Sequence, residues 1–296
     1  LTLHKLGLRA LFSKFGKIAI DKDNDKENAI AINLLSSLGD EKETFALRMQ
    51  IIKTVTLAKS YLAETSEEFE EVIERHQIDL EECNIDQFIE YARAVLVKSR
   101  EDTKRITFSD MIYYVWYHKI KLPAHLKFDF MHIDEAQDLN PAQHYLVMQA
   151  LKSGGRCFVY GDRNQAIYLF TGADSLSMDK MKDAFNAVEL PLPTTWRCPK
   201  KVVALAQELV PGIEASPDEK EGIVEKINYA KMMTMASPGD FILSRTNAPL
   251  IGIVMKLIAL GKPANVQGRD VSEGLLALVK KSKAKKVDTF ITYLCK

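Results

Sequence analysis

Two adjacent carboxylates, Asp134 and Glu135, follow a short apolar run that extends from Phe128 to Ile133. Such a run predicts a strand of an α/β sheet, and ligands of these sheets bind at the carboxyl ends of the strands. Because successive side chains of an extended chain point to opposite sides, one carboxylate can hold Mg²⁺ while its neighbour faces an attacking water. Phosphoryl transfer requires both tasks. The alternative is a strand that merely ends in polar residues, and we expect His132 within it to pack in the core with a hydrogen bond.

A second cluster of chemically useful residues lies in the sequence GDRNQAIYLFTGA, residues 161–173. It follows another short apolar run, Cys157–Tyr160, and is predicted to connect a strand to a helix. Gln165 is placed to contact a terminal phosphate or to orient a water, a role that glutamine has in other nucleotide hydrolases. Tyr168 and Phe170 supply flat faces on which unpaired bases can stack. Packing in a hydrophobic core remains the alternative for both aromatic side chains.

The elements that must position these residues are parallel strands flanked by helices. The runs at 128–133 and 157–160 each stop in acidic residues or glycine, with a helical pattern between them, which is typical of an α/β fold. A further candidate strand is 187–190. Residues 29–100 show only helical periodicity, and the polar interruption before them, at 21–28, predicts a loop.

A second α/β stretch follows a loop rich in proline, glycine and charge at 211–221. It contains a predicted strand at 241–244, a helix at 250–260 and another short apolar run at 264–267. The change in pattern places a domain boundary near residues 205–220.

The composition is typical of a soluble globular protein, since 47% of the 296 residues are hydrophobic and the formal net charge is zero. No apolar run approaches the roughly 18–20 residues of a membrane span. The four cysteines lie far apart without a CxxC pair, which favours a reducing cytoplasm over a zinc site or disulfides. A lysine cluster at 280–286 is either a solvated helix face or a phosphate contact.

Five segments resemble, in order and in spacing, the motifs of superfamily 1 DNA helicases of the UvrD/Rep/PcrA group. They are Thr2-Leu3-His4 (motif Ib), DEAQD at 134–138 (motif II), GDRNQAIYLFTGA at 161–173 (motif III), TTWRCPK at 194–200 (motif IV) and FILSRTN at 241–247, which resembles the opening strand of the second RecA-like domain. The resemblance implies an incomplete first RecA-like domain at 1–15 and 106–205, with a parallel sheet flanked by helices. A helical insertion would occupy 16–105, and residues 220–296 would form the start of a second RecA-like domain, which is incomplete.

The resemblance also implies roles in ATP hydrolysis. Asp134 would bind Mg²⁺, and Glu135 would be the general base near the metal. Gln165 would contact the γ-phosphate and the water. Arg197 would act as an arginine finger that stabilises the transferring phosphoryl group, and Trp196 would stack on adenine.

Further residues would contact DNA. Phe170, together with Tyr168, would stack on single-stranded DNA, and Thr2 and His4 would touch its backbone. The implied activity is ATP-driven movement along single-stranded DNA, 3′ to 5′ by family analogy. The implied partners are single-stranded DNA, junctions of single- and double-stranded DNA, and a loading or nuclease protein, with no membrane.

The sequence departs from the family pattern in two respects. Phe170 and Thr171 stand where the family has Trp-Arg, so the strength of stacking and a second phosphate contact are not carried over. In addition, the sequence contains neither a GxxxxGK[ST] phosphate loop nor motifs V and VI. Truncation at both ends is the simplest explanation, and the chain alone is expected to be inactive as an ATPase.

Two alternatives to this helicase stay open. The helicase part of a RecB/AddA-like helicase-nuclease would share every motif described above. A non-catalytic DNA-binding or scaffold protein, built on a degenerate helicase core, would have no use for Glu135, Gln165 and Arg197 together, so the presence of all three argues against it.

Overall fold

The computed structural model describes residues 1–21, 25–167, 172–174 and 176–266, together with the single residues 282, 286 and 289. These residues form a mixed α/β structure with small parallel sheets. The α-helices are α1 (Leu3–Phe15), α2 (Asp25–Leu35), α3 (Phe45–Tyr61), α4 (Ser66–His76), α5 (Ile85–Glu101), α6 (Asp110–Tyr117), α7 (Pro141–Ala150), α8 (Ser177–Phe185), α9 (Lys200–Ala206), α10 (Tyr229–Met235) and α11 (Ala248–Ala259). None of these helices is long and apolar enough to span a bilayer.

The strands pair in parallel, two by two. They are β1 (Ala19–Ile20) with β2 (Arg105–Ile106), β3 (Phe128–Ile133) with β4 (Leu151–Val159), and β5 (Thr194–Thr195) with β6 (Glu214–Ala215). The strand predicted at 128–133 is confirmed by β3, and the one predicted at 157–160 is confirmed at 157–159, the end of β4, which begins earlier, at Leu151. Ile133 lies beside Val159, so the two strands end together and the residues that follow them meet at one edge of the sheet.

Two of the predicted strands do not form. The runs at 187–190 and 241–244 and the described residues 264–266 have no strand structure, and Gln267 lies outside the described residues. Leu190 and Leu243 are 80% and 88% exposed. Apolar character alone does not make a strand, because a strand also needs a neighbour that satisfies its backbone N–H and C=O groups. These runs have no such neighbour in the part of the chain that the structure describes.

The loop predicted at 21–28 is wrong at its end, because α2 begins at Asp25. The carboxylate of Asp21 accepts hydrogen bonds from the backbone N–H groups of Asp25 (3.2 Å) and Lys26 (2.7 Å). Asp25 and Glu27 also lie in the first turn, where negative charge is favourable to the helix dipole. The acidic residues that suggest a loop therefore mark the start of a helix.

The chain divides into two compact units, residues 1–191 and 192–296. This division precedes the boundary predicted near 205–220. The reason is that β5 and β6 pair with each other, which keeps residues 194–200 with the second unit. The helices of 25–101 belong to the first unit. The assignment of RecA-like domains to these units stays a prediction.

Close helix packing holds the first unit together around α1 and α6. Leu6, Ala10 and Leu11 of α1 are buried, and so are Tyr113 and Tyr114 of α6. Gly7 lies directly against the backbone of α6, where an added Cβ would overlap the carbonyl oxygen of Met111. Only glycine allows the two helices to approach this closely.

Four charged side chains are buried together between the helices of this unit, and we call them the buried ion cluster: Lys26, Glu27, Lys59 and Asp110, each at most 5% exposed. Lys26 Nζ lies 2.9 Å from Asp110 Oδ2, and Lys59 Nζ lies 2.6 Å from Asp110 Oδ1. Lys59 also forms an ion pair with Glu27. The cluster joins α2, α3 and α6, and its two positive charges balance its two negative charges.

Backbone groups complete the buried ion cluster. Lys26 Nζ donates to the carbonyl oxygens of Ser99 (3.1 Å) and Arg105 (3.0 Å), and the Thr107 N–H donates to Asp110 (3.0 Å). Burial disfavours a charged carboxylate, but Lys59 and Lys26 outweigh that effect and hold the pKa of Asp110 below its ordinary value. The same ion pairs raise the pKa of Lys59 in spite of its burial. Asp110 and Lys59 therefore stay charged inside the protein.

Replacing Lys59 by methionine should strongly destabilise the protein. The substitution keeps the length of the side chain but leaves Glu27 without its ion pair and Lys26 as the one positive charge for two buried carboxylates, which costs about 3–5 kcal/mol. Lys53→Met, at an exposed position of the same helix, is the matched control and should change the free energy of unfolding by less than about 0.5 kcal/mol. Urea unfolding of residues 1–296 measures both variants, and equal losses would contradict a stabilising role for the buried ion cluster.

Candidate functional site

Asp134 and Glu135 lie where the sequence predicts them, directly after β3 and exposed to solvent. Asp134 Oδ1 accepts a hydrogen bond from the Glu135 N–H (3.0 Å). Glu135 has φ of 50°, in the left-handed region that a residue with a side chain adopts at a cost of about 1–3 kcal/mol. The Ala136 N–H donates to the carbonyl oxygen of Tyr160 (2.9 Å), which ties this strained turn to the end of β4. The two carboxylates are therefore held at a fixed position at the sheet edge.

Gln137 connects this turn to the end of the neighbouring strand. It is 3% exposed, and its Nε2 donates to Glu135 Oε2 at 2.6 Å. Its Oε1 accepts the backbone N–H of Asp162 at 3.2 Å. Gly161 leaves the space for this amide, because an added Cβ would lie 2.5 Å from Gln137 Oε1 and 2.8 Å from Met178 Sδ. The glycine is thus required by the close approach of Gln137.

Asp162 extends the connection to Gln165. Asp162 Oδ1 accepts the N–H of Asn164 (2.9 Å), and Asp162 Oδ2 accepts from Gln165 Nε2 (2.9 Å), within the 3₁₀ turn Arg163–Gln165. A continuous set of hydrogen bonds therefore runs from Glu135 through Gln137 and Asp162 to Gln165. The structure thereby brings together three of the predicted site residues, Asp134, Glu135 and Gln165, at one edge of the sheet.

Arg163 holds the same turn in place through ion pairs with two carboxylates of the first unit. Its Nη2 lies 2.8 Å from Asp179 Oδ1 on α8, and its Nη1 lies 2.7 Å from Glu189 Oε1. The hydrogen bond from Arg163, with a second from Lys182, lowers the pKa of Glu189 to about 2. The two carboxylates in turn raise the pKa of Arg163. The turn that carries Gln165 is thus held from both sides.

A serine and a histidine support the turn after β3 from behind. The buried Ser177 hydroxyl donates to the carbonyl oxygen of Ala136, and His144 Nε2 lies 2.8 Å from the same hydroxyl. Because the hydroxyl gives its one proton to the carbonyl, His144 must donate through Nε2–H. Burial lowers the pKa of His144, so the ring is neutral at physiological pH.

The donor set at the sheet edge fits Mg²⁺. Asp134 and Glu135 supply carboxylate oxygens, the hard ligands that Mg²⁺ prefers, and Mg²⁺ commonly binds one or two carboxylates together with phosphate oxygens. Among the described residues, no group of three or more His, Cys, Asp or Glu side chains could hold a metal ion. The site therefore suits an ion that is shared with a phosphate group rather than enclosed by protein.

Asp138 adds a third acidic side chain to this turn. Burial, together with the negative charge of Glu135, raises the pKa of Asp138. Its Oδ1 is buried without a hydrogen-bond partner among the described residues. The carboxyl group of Asp138 therefore takes up a proton more readily than an ordinary aspartate does.

Thr2 and His4 have structural contacts of their own. Thr2 caps α1 by accepting the N–H of Lys5 (3.3 Å), and the His4 ring meets Phe108 edge-on with centroids 5.9 Å apart. Burial lowers the pKa of His4. Neither side chain contacts the carboxylates in the described part of the chain. The predicted aromatic pair, Tyr168 and Phe170, lies outside the described residues.

Trp196 and Arg197 belong to the second unit. Trp196 is 70% exposed, and Arg197 is also exposed. The backbone N–H of Arg197 donates to Thr195 Oγ1 (3.3 Å), so this hydrogen bond does not involve the guanidinium group. Both side chains are accessible to a ligand, and their roles stay predictions.

Two features of the sheet edge are missing from the sequence prediction. Gln137 and Asp162, which connect the two strand ends, were not predicted as site residues. Both lie inside the quoted motifs and next to the strand ends, and this position could have indicated their role. The prediction that His132 packs in the core is wrong, because its ring is exposed and stacks on Phe158 with centroids 4.9 Å apart. Its predicted hydrogen bond is present, to Tyr160 Oη at 2.9 Å.

Comparison with known families gives a match over most of the first unit. The UvrD/REP helicase N-terminal domain matches residues 1–186. This range contains the sheet edge with Asp134, Glu135 and Gln165, as well as the buried ion cluster.

Individual relatives are similar over longer or shorter ranges. The ATP-dependent DNA helicase PcrA of Bacillus subtilis (strain 168) is 27% identical over 294 residues, which is 93% of this chain and 38% of the relative. A probable DNA helicase II homolog of Mycoplasma pneumoniae is 26% identical over 216 residues, 68% of this chain and 30% of the relative. PcrA of Staphylococcus aureus is 31% identical over 124 residues, 40% of this chain and 17% of that protein. The chain thus spans less than two-fifths of the length of these relatives.

The stability of the first unit should fall in mild acid. The folded protein binds a proton on His144 less readily than the unfolded chain, so stability is full above the ordinary pKa of 6.5 and is lost as pH falls below it. The pKa values of His4, His76 and His118 are lowered as well. The contribution of His144 is therefore obtained by comparing the parent with a variant that lacks this histidine. His144→Gln keeps a donor for Ser177 without titrating. Its urea midpoint should fall less than that of the parent between about pH 7.5 and 5.5, and equal decreases would refute this account.

Proposed function

Because the chain belongs to the family of the UvrD/REP helicase N-terminal domain, we propose that it forms part of an ATP-dependent DNA helicase that acts on single-stranded DNA. The set of hydrogen bonds from Glu135 through Gln137 and Asp162 to Gln165 is the observation that carries this proposal. It joins a carboxylate suited to activate water with an amide suited to sense a phosphate. The names of the relatives agree with such an activity, and the chain spans only part of their length.

In this proposal Asp134 holds Mg²⁺ and Glu135 is the general base. Asp134 is exposed, so one of its oxygens can bind the ion while the other keeps the bond from the Glu135 N–H. When bound, Mg²⁺ would neutralise charge on the phosphates of ATP. Glu135 uses one oxygen to accept from Gln137, which orients the carboxylate and leaves its other oxygen available for a water proton.

Gln165 would link ATP hydrolysis to DNA binding. Its amide is exposed and donates to Asp162, so a phosphate or a water could compete for the same N–H group. Loss of the hydrogen bond between Gln165 and Asp162 would change the position of Gln165 and of the backbone that follows it, toward Tyr168 and Phe170. These two side chains would stack on unpaired bases, worth roughly 1–3 kcal/mol per base. The two activities would therefore be coupled within six residues.

Two further residues, Arg197 and Trp196, would supply the remaining groups for ATP. Arg197 would stabilise the charge of the transferring phosphoryl group, as arginine fingers do in related hydrolases. Trp196 would stack on adenine. ATP hydrolysis would then drive movement along DNA, in the 3′ to 5′ direction, with Thr2 and His4 on the DNA backbone.

Glu135→Gln should separate ATP binding from turnover. The substitution removes the general base and keeps the size of the side chain, so hydrolysis should be at least about 10²-fold slower while ATP still binds. Arg197→Ala should lose a larger factor, about 10³ to 10⁵. The measurement is single-turnover hydrolysis in a protein that combines this chain with a phosphate-binding loop. Asp129→Asn, at an exposed acid of β3, is the control and should hydrolyse ATP at the parent rate. Near-parent rates for Glu135→Gln or Arg197→Ala would mean that the active site lies elsewhere.

Residues 1–296 by themselves should bind ATP weakly. Helicases of this type neutralise the triphosphate with a glycine-rich loop, its lysine and Mg²⁺, and this sequence contains no GxxxxGK[ST]. Stacking on Trp196 contributes only about 0.5–1.5 kcal/mol. The dissociation constant should therefore be about millimolar or weaker. Isothermal titration with ATP and Mg²⁺ tests this, and micromolar binding or DNA-stimulated phosphate release would reveal an unrecognised phosphate site.

A further inference from the structure

A cavity of about 530 Å³ opens on the surface of the first unit, and none of the described residues proposed above for ATP and DNA lines it. It lies between the end of α6, the segment that follows α6, and one side of α7. Its walls include the aromatic side chains of Trp116, Tyr117 and Tyr145, and the lysines Lys119 and Lys121. Its volume is within the range of about 300–1,000 Å³ that is typical of small-molecule sites.

The aromatic walls are held in place before any ligand arrives. Tyr117 stacks on the buried Tyr113 with centroids 5.8 Å apart and planes 16° apart, and the Arg100 guanidinium lies 4.2 Å from the Tyr117 ring. Trp116 packs on Tyr113 from another side, with centroids 5.7 Å apart. Tyr145, from α7, is half-buried against the hydrophobic core, and the exposed part of its ring lines the cavity without a ring contact among the described residues. The cavity therefore offers rigid aromatic surfaces at its wall.

The charge at the cavity is positive. Lys119 and Lys121 are exposed, and neither forms an ion pair with a carboxylate of the described residues. The acid of the lining, Glu64, forms an ion pair with Arg100 and accepts a hydrogen bond from Tyr113 Oη (2.7 Å). Its negative charge is thus compensated within the protein. The two lysines remain available for an anion.

We propose that this cavity binds one nucleotide unit. The planar base would stack on Trp116 and Tyr145, and its phosphate would lie against Lys119 and Lys121. Aromatic faces accept every base, and an ammonium group binds phosphate as a point charge, so the site would not depend on sequence. The proposal rests on the proposed function in taking single-stranded DNA as the source of the nucleotide; a free nucleotide has the same chemistry.

Trp116 provides a direct probe of this cavity. The chain has two tryptophans, Trp116 and Trp196, so a Trp196→Phe background leaves Trp116 as the single indole fluorophore. Oligothymidylate should quench its emission, and Tyr145→Ala in this background should weaken the quenching affinity about ten-fold, as expected when one stacking partner of a base is removed. Thymidine monophosphate, titrated in parallel, distinguishes the sources. Quenching by both ligands at similar concentrations assigns the site to free nucleotides, and quenching by the oligonucleotide alone assigns it to DNA.

The lysines are tested by the dependence of binding on salt. The double variant Lys119→Ala/Lys121→Ala should reduce the slope of log affinity against log salt concentration by roughly 0.7 for each phosphate that the protein no longer neutralises. Lys53→Ala/Lys98→Ala removes the same charge from exposed positions on α3 and α5, and should leave the slope as it is in the parent. Equal slopes for the two double variants would overturn the proposal.

Failure of the cavity and failure of the proposed function give different results. Anisotropy of a labelled oligothymidylate reports binding to the chain as a whole. If the oligonucleotide binds while the emission of Trp116 is unchanged, the cavity does not hold the nucleotide and the proposed function stands. If no oligonucleotide binds and thymidine monophosphate leaves Trp116 unchanged, the cavity proposal fails together with the DNA-binding part of the proposed function.

Discussion

Lys59 lies fully buried between Glu27 and Asp110, and Lys26 approaches Asp110 from its other oxygen. Charges removed from water in this way are tolerated only when they are paired and hydrogen-bonded. The buried ion cluster therefore requires α2, α3 and α6 to meet at fixed positions, and the carbonyl of Ser99 brings in α5. A shift of one helix would leave a buried charge unpaired, which disfavours other packings of these helices.

The position of α6 has consequences on both of its sides. On one side α6 meets α1 so closely that Gly7 must lack a side chain. At its end it presents Trp116 and Tyr117 to the surface cavity, fixed by Tyr113 and Arg100. The paired charges in the interior of the first unit thus hold the helices in position. The same helix positions fix the aromatic side chains that line the surface cavity.

The sheet edge follows a different principle, in which exposed reactive groups are held by one buried amide. Glu135 adopts a strained backbone, and Gln137 binds both its side chain and the backbone of Asp162. The strain is supported by the hydrogen bond between Ala136 and Tyr160. Such an arrangement keeps a carboxylate accessible while it limits its freedom to move, which would suit the general base proposed above.

The sequence by itself determined the family, the two strands β3 and β4, and the placement of Asp134, Glu135 and Gln165 after them, because these follow from local runs of apolar residues and from motifs. It did not determine which apolar runs become strands, since that depends on a neighbour that satisfies the backbone. It also missed the helix start at Asp25, where Asp21 caps the chain, and the exposure of His132. The connection from Gln137 to Asp162 joins residues 25 positions apart. Only the parallel register of β3 and β4, a property of the tertiary structure, brings their hydrogen-bonding groups together.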